Sequence, residues 1–257
     1  MELKEGQKPE LLNCILELGE LMLGSGAEIS RVEDTLIRIA SAYGAVHVDA
    51  FVITSIISLS IEFSDTDFVS ETRRIYSSTG TDFYRLEKLN ELSRRICAGI
   101  ITLEDFHSAL NDIVSMRKPF ALILSGGVLA AGSFSVFFGG TFYDGLISSV
   151  FAVMICLLQK YIEFTETETA SSNLLISFIT GLCVGLTCRL IPSLHMDKIL
   201  IGDIMLLIPG LAMTNAVRNV LVGNTISGVI RITESLIWAG ALAGGFMTSM
   251  IVLDIIL

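Results

Sequence analysis

The sequence predicts an α+β domain over residues 1–118, with an antiparallel sheet and helices, followed by an all-α membrane bundle of five transmembrane helices over residues 119–257. Three observations predict it. The first is the charge distribution. Residues 1–118 hold 12 of the 17 Lys and Arg and 19 of the 27 Asp and Glu, so 31 of 118 are charged, close to the about 25% of a soluble domain; only 13 of the remaining 139 are charged. The second is hydropathy. The chain is 52% hydrophobic with a mean hydropathy of +0.69, and residues 119–143, 169–188 and 235–253 contain no charged residue. The third is a stretch, Val46–Phe63, rich in Val, Ile, Thr, Ser and Phe between segments of helical periodicity.

In the first domain, Leu11, Leu12, Ile15, Leu18, Leu21 and Met22 follow helical spacing over Glu10–Met22, and Gly24-Ser25-Gly26 breaks the pattern. A second helix carries Val32, Leu36, Ile39, Ala40 and Tyr43 on one face. Ser30 and Glu33 are spaced as a capping box, although the helix can begin nearer Glu28; Gly44 ends it. The charge-free run Ala50–Ile61 is 12 residues, too short to span a bilayer, and predicts strands at His47–Ile53 and Ser55–Phe63, with a third at Phe68–Ser77. Phe83, Leu86, Leu89, Leu92 and Ile96 mark a third helix. Thr102-x-x-Asp105 caps a fourth that carries Leu103, Phe106, Leu110 and Ile113. The order α-α-β-β-β-α-α implies an antiparallel sheet covered by helices.

The membrane helices are predicted at about 120–138, 145–162, 170–189, 199–222 and 233–255, from the roughly 20 apolar residues that cross a hydrocarbon core. The fourth is interrupted by Asp203, Pro209-Gly210 and Arg218. Asp144 is placed to cap the second. Gly181-x-x-x-Gly185 and Gly240-x-x-x-Gly244 read as helix-packing motifs. With the N-terminus inside, inner loops hold Arg117, Lys118, Lys160, Arg218 and Arg231, and outer loops only Arg189 and Lys198. The positive-inside bias therefore predicts a cytoplasmic N-terminal domain. Met1–Pro9 is polar and no apolar h-region follows, so no secretory signal peptide is expected. The five cysteines have no CxxC spacing and read as small hydrophobes or free thiols rather than a disulfide framework.

A net charge of −10 argues against a nucleic-acid partner. There is no HExxH, GxSxG or Walker A pattern, so neither an enzyme nor an ATP-driven pump is expected, and no metal or cofactor. His47 and Asp49 share a strand face but lack a third partner, and read as solvated polar residues. Gly24-Ser25-Gly26-Ala27 precedes a helix as an anion cradle does, but reads as an interhelical turn.

The chemistry is expected between Gly202 and Gly245. Pro209 removes a backbone donor and clashes with the preceding turn, and Gly210 adds freedom. A broken helix frees backbone groups in the membrane, a device that forms transporter binding sites. Beyond the break, Asn215, Arg218 and Asn219 lie at i, i+3 and i+4 on one face. An intramembrane Arg costs about 2.5–3.5 kcal/mol at the centre on insertion scales, so it must pair, snorkel or serve a ligand. Arg218 can hold a carboxylate by a bidentate contact, or be a structural residue satisfied by Glu234 and helix carbonyls. The candidate substrate-binding set is Pro209, Gly210, Thr214, Asn215, Arg218 and Asn219. The candidate coupling or pairing set is Asp203, Arg231 and Glu234, the last two spaced for an i, i+3 pair.

Pro209-Gly210, Thr214-Asn215-Ala216, Arg218, Gly223 and Ser227-Gly228 together resemble the threonine/serine exporter family. Gly26-Ala27-Glu28-x-x-Arg31-Val32-Glu33 and Ala42-Tyr43-Gly44-Ala45 are similar to its early region, so the likeness runs from about Leu11 to the end. The resemblance implies a cytoplasmic domain followed by an export domain in a bacterial inner membrane. It also implies efflux of threonine and serine, or of succinate for members split over two chains. This chain resembles the larger half of the split type, which implies a second small integral membrane subunit as partner and a hetero-oligomer in the lipid bilayer. The family often has Asp directly after the Arg, where this chain has Asn219. The alternatives are a membrane-anchored scaffold or ligand sensor and, behind it, a membrane-associated hydrolase using the N-terminal domain.

Overall fold

The computed structural model describes residues 5–64, 67–75, 81–116, 119–163 and 169–256. Arg117 and Lys118, Glu166 and Glu168, and the end of the expected third strand at residues 76–77 lie outside the described residues. The chain divides into two compact units. One comprises residues 1–117 with 211–232, the other residues 118–210 with 233–257.

The first unit opens with a short 3-10 turn, Glu5–Gln7, and α1, Lys8–Gly24. Leu11, Leu12, Cys14, Ile15, Leu16, Leu18, Met22 and Leu23 of α1 are all buried, as expected of a helix apolar on nearly every side. α2 (Ile29–Ala42), β1 (His47–Ile53), β2 (Ile56–Ser64), β3 (Asp67–Arg74), α3 (Phe83–Cys97) and α4 (Leu103–Ser115) follow in the predicted order. α1 packs against α2, α3, α4, β2 and β3, so it is the centre of the core. The sheet is antiparallel in the order β1-β2-β3, with Val52 facing Ile57 and Leu59 facing Glu71. Ile57, Leu59 and Ile61 alternate inward from β2, while Ser58 and Ser60 bond across to Thr72 and Ser70 on the other face.

The Thr102 cap forms as predicted, and Asp82 supplies a second cap that was not predicted. Thr102 accepts the Asp105 amide at 3.2 Å, and Asp82 accepts the Arg85 amide at 3.0 Å. The Ser30–Glu33 box does not form. The first residue of α2 is Ile29, after Glu28, and Glu33 reaches across to accept the Val52 amide on β1 at 3.1 Å. A strand donor with no second strand beside it outcompetes the local cap.

The second unit holds α5 (Phe120–Phe137), α6 (Phe142–Glu163), α7 (Thr169–Leu190), α8 (Met196–Ile204) and the later part of α10 (Thr225–Ile256). Four helices among the described residues are long and apolar enough to cross a membrane: Phe120–Phe137, Phe142–Ile162, Ala170–Leu190 and Thr225–Ile255. The predicted fourth helix, 199–222, is instead two short helices, α8 and α9 (Gly210–Leu221), separated by turns over 205–209. The 9 residues of α8 rise about 14 Å, half a hydrocarbon core.

Close contacts fix helix directions in this unit. A methyl added to Gly132 would lie 3.0 Å from the Gly145 carbonyl, where α5 and α6 cross. Ser177, Phe246 and Ser249, Gly181, Gly185 and Leu253 make successive contacts along α7 and α10, so these two helices run parallel. Arg189 and Asp254 pair at 2.7 Å at their common C-terminal end. The motif at Gly181 and Gly185 thus packs as predicted. Gly240 and Gly244 meet nothing within 4 Å, and Gly245 makes the close approach instead.

Candidate functional site

The predicted polar residues fall into two separate settings. In the first unit, α1 ends in a Schellman motif. Gly26 has φ 90°, its amide bonds the Leu23 carbonyl, and the Ala27 amide bonds that of Met22. The turn brings the chain into α2, whose first amides at Ile29 and Ser30 have no intrahelical acceptor, leaving a partial positive charge there. Gly26, Ala27 and Glu28 of this turn, with Thr81, line a polar cleft whose other wall is Ala212, Asn215 and Asn219 of α9 and Arg231 of α10.

Asn215, Arg218 and Asn219 thus lie on one side of α9, toward the start of α2. Asn215 and Asn219 face the cleft, and Arg218 beside them donates from Nη1 to Glu28 Oε1 at 2.5 Å. The carboxylate meeting Arg218 is that of Glu28, not the expected Glu234. Glu28 is also 4.0 Å from Arg31. The Arg218 side chain is 54% exposed and that of Glu28 24%. Asn219 is 5% exposed and lines the cleft. A carboxamide that lines a cleft offers a ligand two donors and an acceptor. Glu28 was visible in the sequence as part of Gly26-Ala27-Glu28, but its partner lies 190 residues away.

In the second unit, Asp203 of α8 is fully buried. Its Oδ1 accepts from Ser148 Oγ of α6 at 2.8 Å, and its Oδ2 has no partner. A methyl at Gly202 would lie 2.5 Å from Ser148 Oγ and 2.6 Å from the Ala131 carbonyl, so glycine is what lets α8 seat against α5 and α6. Ser135, also buried and without a hydroxyl partner, stands beside Gly202. Ser148 and Ser135 were not singled out from sequence, because single serines in apolar helices carry no spacing signal.

Asp144 does more than begin α6. It closes a capping box with Thr141, accepting from the Thr141 amide at 2.7 Å, and also accepts the His195 amide at 2.8 Å and His195 Nδ1 at 2.9 Å. This ties the start of α8 to the start of α6. Pro209 stands in the break, Gly210 opens α9 with open space around it, and Thr214 is exposed on α9. Glu234 is half-buried on α10, in the other unit from Arg231. His47 and Asp49 lie 3.4 Å apart, both well exposed, as solvated residues do.

A model of the threonine/serine exporter family matches residues 13–253, nearly the whole chain. The chain belongs to the threonine/serine exporter family. That is a family of transporters, not of enzymes. The chain is 22% identical over 244 residues to a probable threonine/serine exporter of Mycobacterium tuberculosis, covering 94% of this chain and 46% of that protein. It is 22% identical over 243 residues to the threonine/serine exporter of Corynebacterium glutamicum, covering 91% and 50%. It is 21% identical over 234 residues to a probable succinate transporter subunit of Klebsiella aerogenes, covering 90% and 89%. The chain thus spans about half the length of the two exporters. No solved structure matches it.

Proposed function

We propose that this chain is a subunit of a secondary transporter that exports small carboxylate-bearing metabolites, threonine and serine or a succinate-like dicarboxylate, across a bacterial inner membrane. The cleft in the first unit carries the reading. Asn215, Asn219, Arg218 and Arg231 gather at the start of α2, giving amide and guanidinium donors to a carboxylate in a protein whose net charge is −10. Pro209 and Gly210, where the chain leaves α8 and enters α9, and Thr214 on α9 complete the substrate set. Asp203 is the group that exchanges a coupling proton, since a fully buried carboxyl with one idle oxygen is the form ionisable residues take in transport pathways. Arg231 and Glu234, spaced i and i+3 in the sequence, complete the coupling or pairing set.

Five crossings are supported by helix direction. α7 and α10 run parallel, so the chain between them must return across the bilayer, and α8 with the turns after it begins that return. Near the start of α8, Lys198 lies by Gly140, and past its end Leu206 lies by Gly127, so this segment runs antiparallel to α5. With the N-terminal domain cytoplasmic, the C-terminus is outside. A second small membrane subunit is the partner. The likeness to a protein named as a subunit of a probable succinate transporter supports a multi-subunit assembly.

The test is efflux from cells expressing the chain with its candidate partner. Arg218→Ala in a folded protein is expected to reduce efflux at least about tenfold, the loss of one charge-assisted contact. Undiminished efflux would remove Arg218 from the site, and no flux of any carboxylate with wild type would favour a scaffold or sensor.

A further inference from the structure

We infer that Glu28 is an internal ligand of the cleft, a carboxylate that holds Arg218 until a substrate carboxylate replaces it. The N-terminal domain thereby supplies half of the binding site. This rests on the export reading above for the identity of the ligand, but not for the existence of the site.

Three observations carry it. The Glu28 carboxylate already accepts a charge-assisted contact from Arg218 Nη1, the contact a ligand carboxylate would take. The Arg218 side chain is more than half exposed, and an ion pair open to water is weak, so a competing anion displaces Glu28 at little cost. Asn219 is nearly buried and lines the same cleft, while Glu28 meets Arg218 and Arg31, so the site has an amide donor that Glu28 does not use. The α2 N-terminus and Arg231 add positive potential on the same cleft. The cleft has about 20 Å³ of free volume, room for about one water, so a ligand carboxylate enters it only in place of the Glu28 carboxylate, and there finds an amide, a guanidinium and a helix end arranged together. Taking Arg218 releases Glu28 toward Arg31, which is already 4.0 Å from it. Because Glu28 directly precedes α2 and Arg218 lies on α9, the exchange couples ligand arrival to the contact between these two helices.

The test is binding of succinate and of L-threonine to the purified full-length chain in detergent, by calorimetry and by ligand-induced shift in melting temperature. Glu28→Gln removes the competitor and is expected to bind the better of the two probes about tenfold more tightly than wild type. Asn219→Ala is expected to bind it about tenfold more weakly. The melting temperature without ligand reports whether each variant folds, and Glu28→Asp, which keeps the charge, should stay near wild type. Unchanged or weaker binding by a folded Glu28→Gln overturns the proposal. So does an unaffected Asn219→Ala, or binding of neither probe by any variant. If these affinities move as expected while no carboxylate is exported, the export reading fails and the site stands. If efflux occurs with affinities unmoved, the reverse holds.

Discussion

At the scale of single residues, the determining features are close approaches and unmatched polar atoms. Gly202 sets how near α8 comes to α5 and α6, and thus where Asp203 sits. Gly202→Ala is expected to lower stability by about 1–3 kcal/mol, because the methyl would press on the Ala131 carbonyl, which has no way to move aside within its helix. Gly240→Ala, with nothing within 4 Å, is expected to be neutral or slightly stabilising. Melting temperatures of the two purified variants check this, and an equal effect would mean that Gly202 is not a contact point. Sequence showed Asp203, Asn215, Arg218, Asn219 and Arg231 as polar residues in an apolar stretch, and their helical spacing placed three of them on one face. It did not show Glu28 or Ser148 as partners. A side chain 190 or 55 residues away leaves no local periodicity to read.

At the scale of elements, the strands and soluble helices were legible because alternation, helical spacing, Gly26 and Gly44 at helix ends, and Thr102 as a cap all speak locally. The fourth membrane segment was half legible. Pro209-Gly210 announced a break, but the turns begin at Met205, ahead of the proline, where Leu207 packs with Ile155, Ile176, Leu242 and Phe246. That tertiary packing holds the turns in place, and hydropathy counting sees only an apolar run. The Ser30–Glu33 box failed for a related reason, since Glu33 found a strand amide that local sequence cannot reveal. The α8–α9 segment as a crossing predicts opposite sides for the chain ends. A tag at the C-terminus should be cleaved by protease added outside spheroplasts while a tag at the N-terminus is protected. Both ends on one side would mean the segment dips in and returns.

At the scale of the molecule, charge density divided the sequence at residue 118, and the structure divides it differently. Leu211–Ile232 belongs with the N-terminal domain, while Lys118–Gly210 and the rest of α10 form the other unit. Two stretches separated by about a hundred residues can share one unit only through contacts such as Arg218–Glu28, which composition cannot register. The acidic surplus is mostly that of the N-terminal domain, and the informative charges are those in the cleft and at Asp203. The central claim is carboxylate export through these residues. It is tested most directly in proteoliposomes containing this chain and its candidate partner subunit, loaded with labelled threonine or succinate and given an imposed proton gradient. Wild type is predicted to release one of the two, with Arg218→Ala and Asp203→Asn each slowing release at least about tenfold. Release by both folded variants at the wild-type rate, or no release by wild type of either compound, would contradict it.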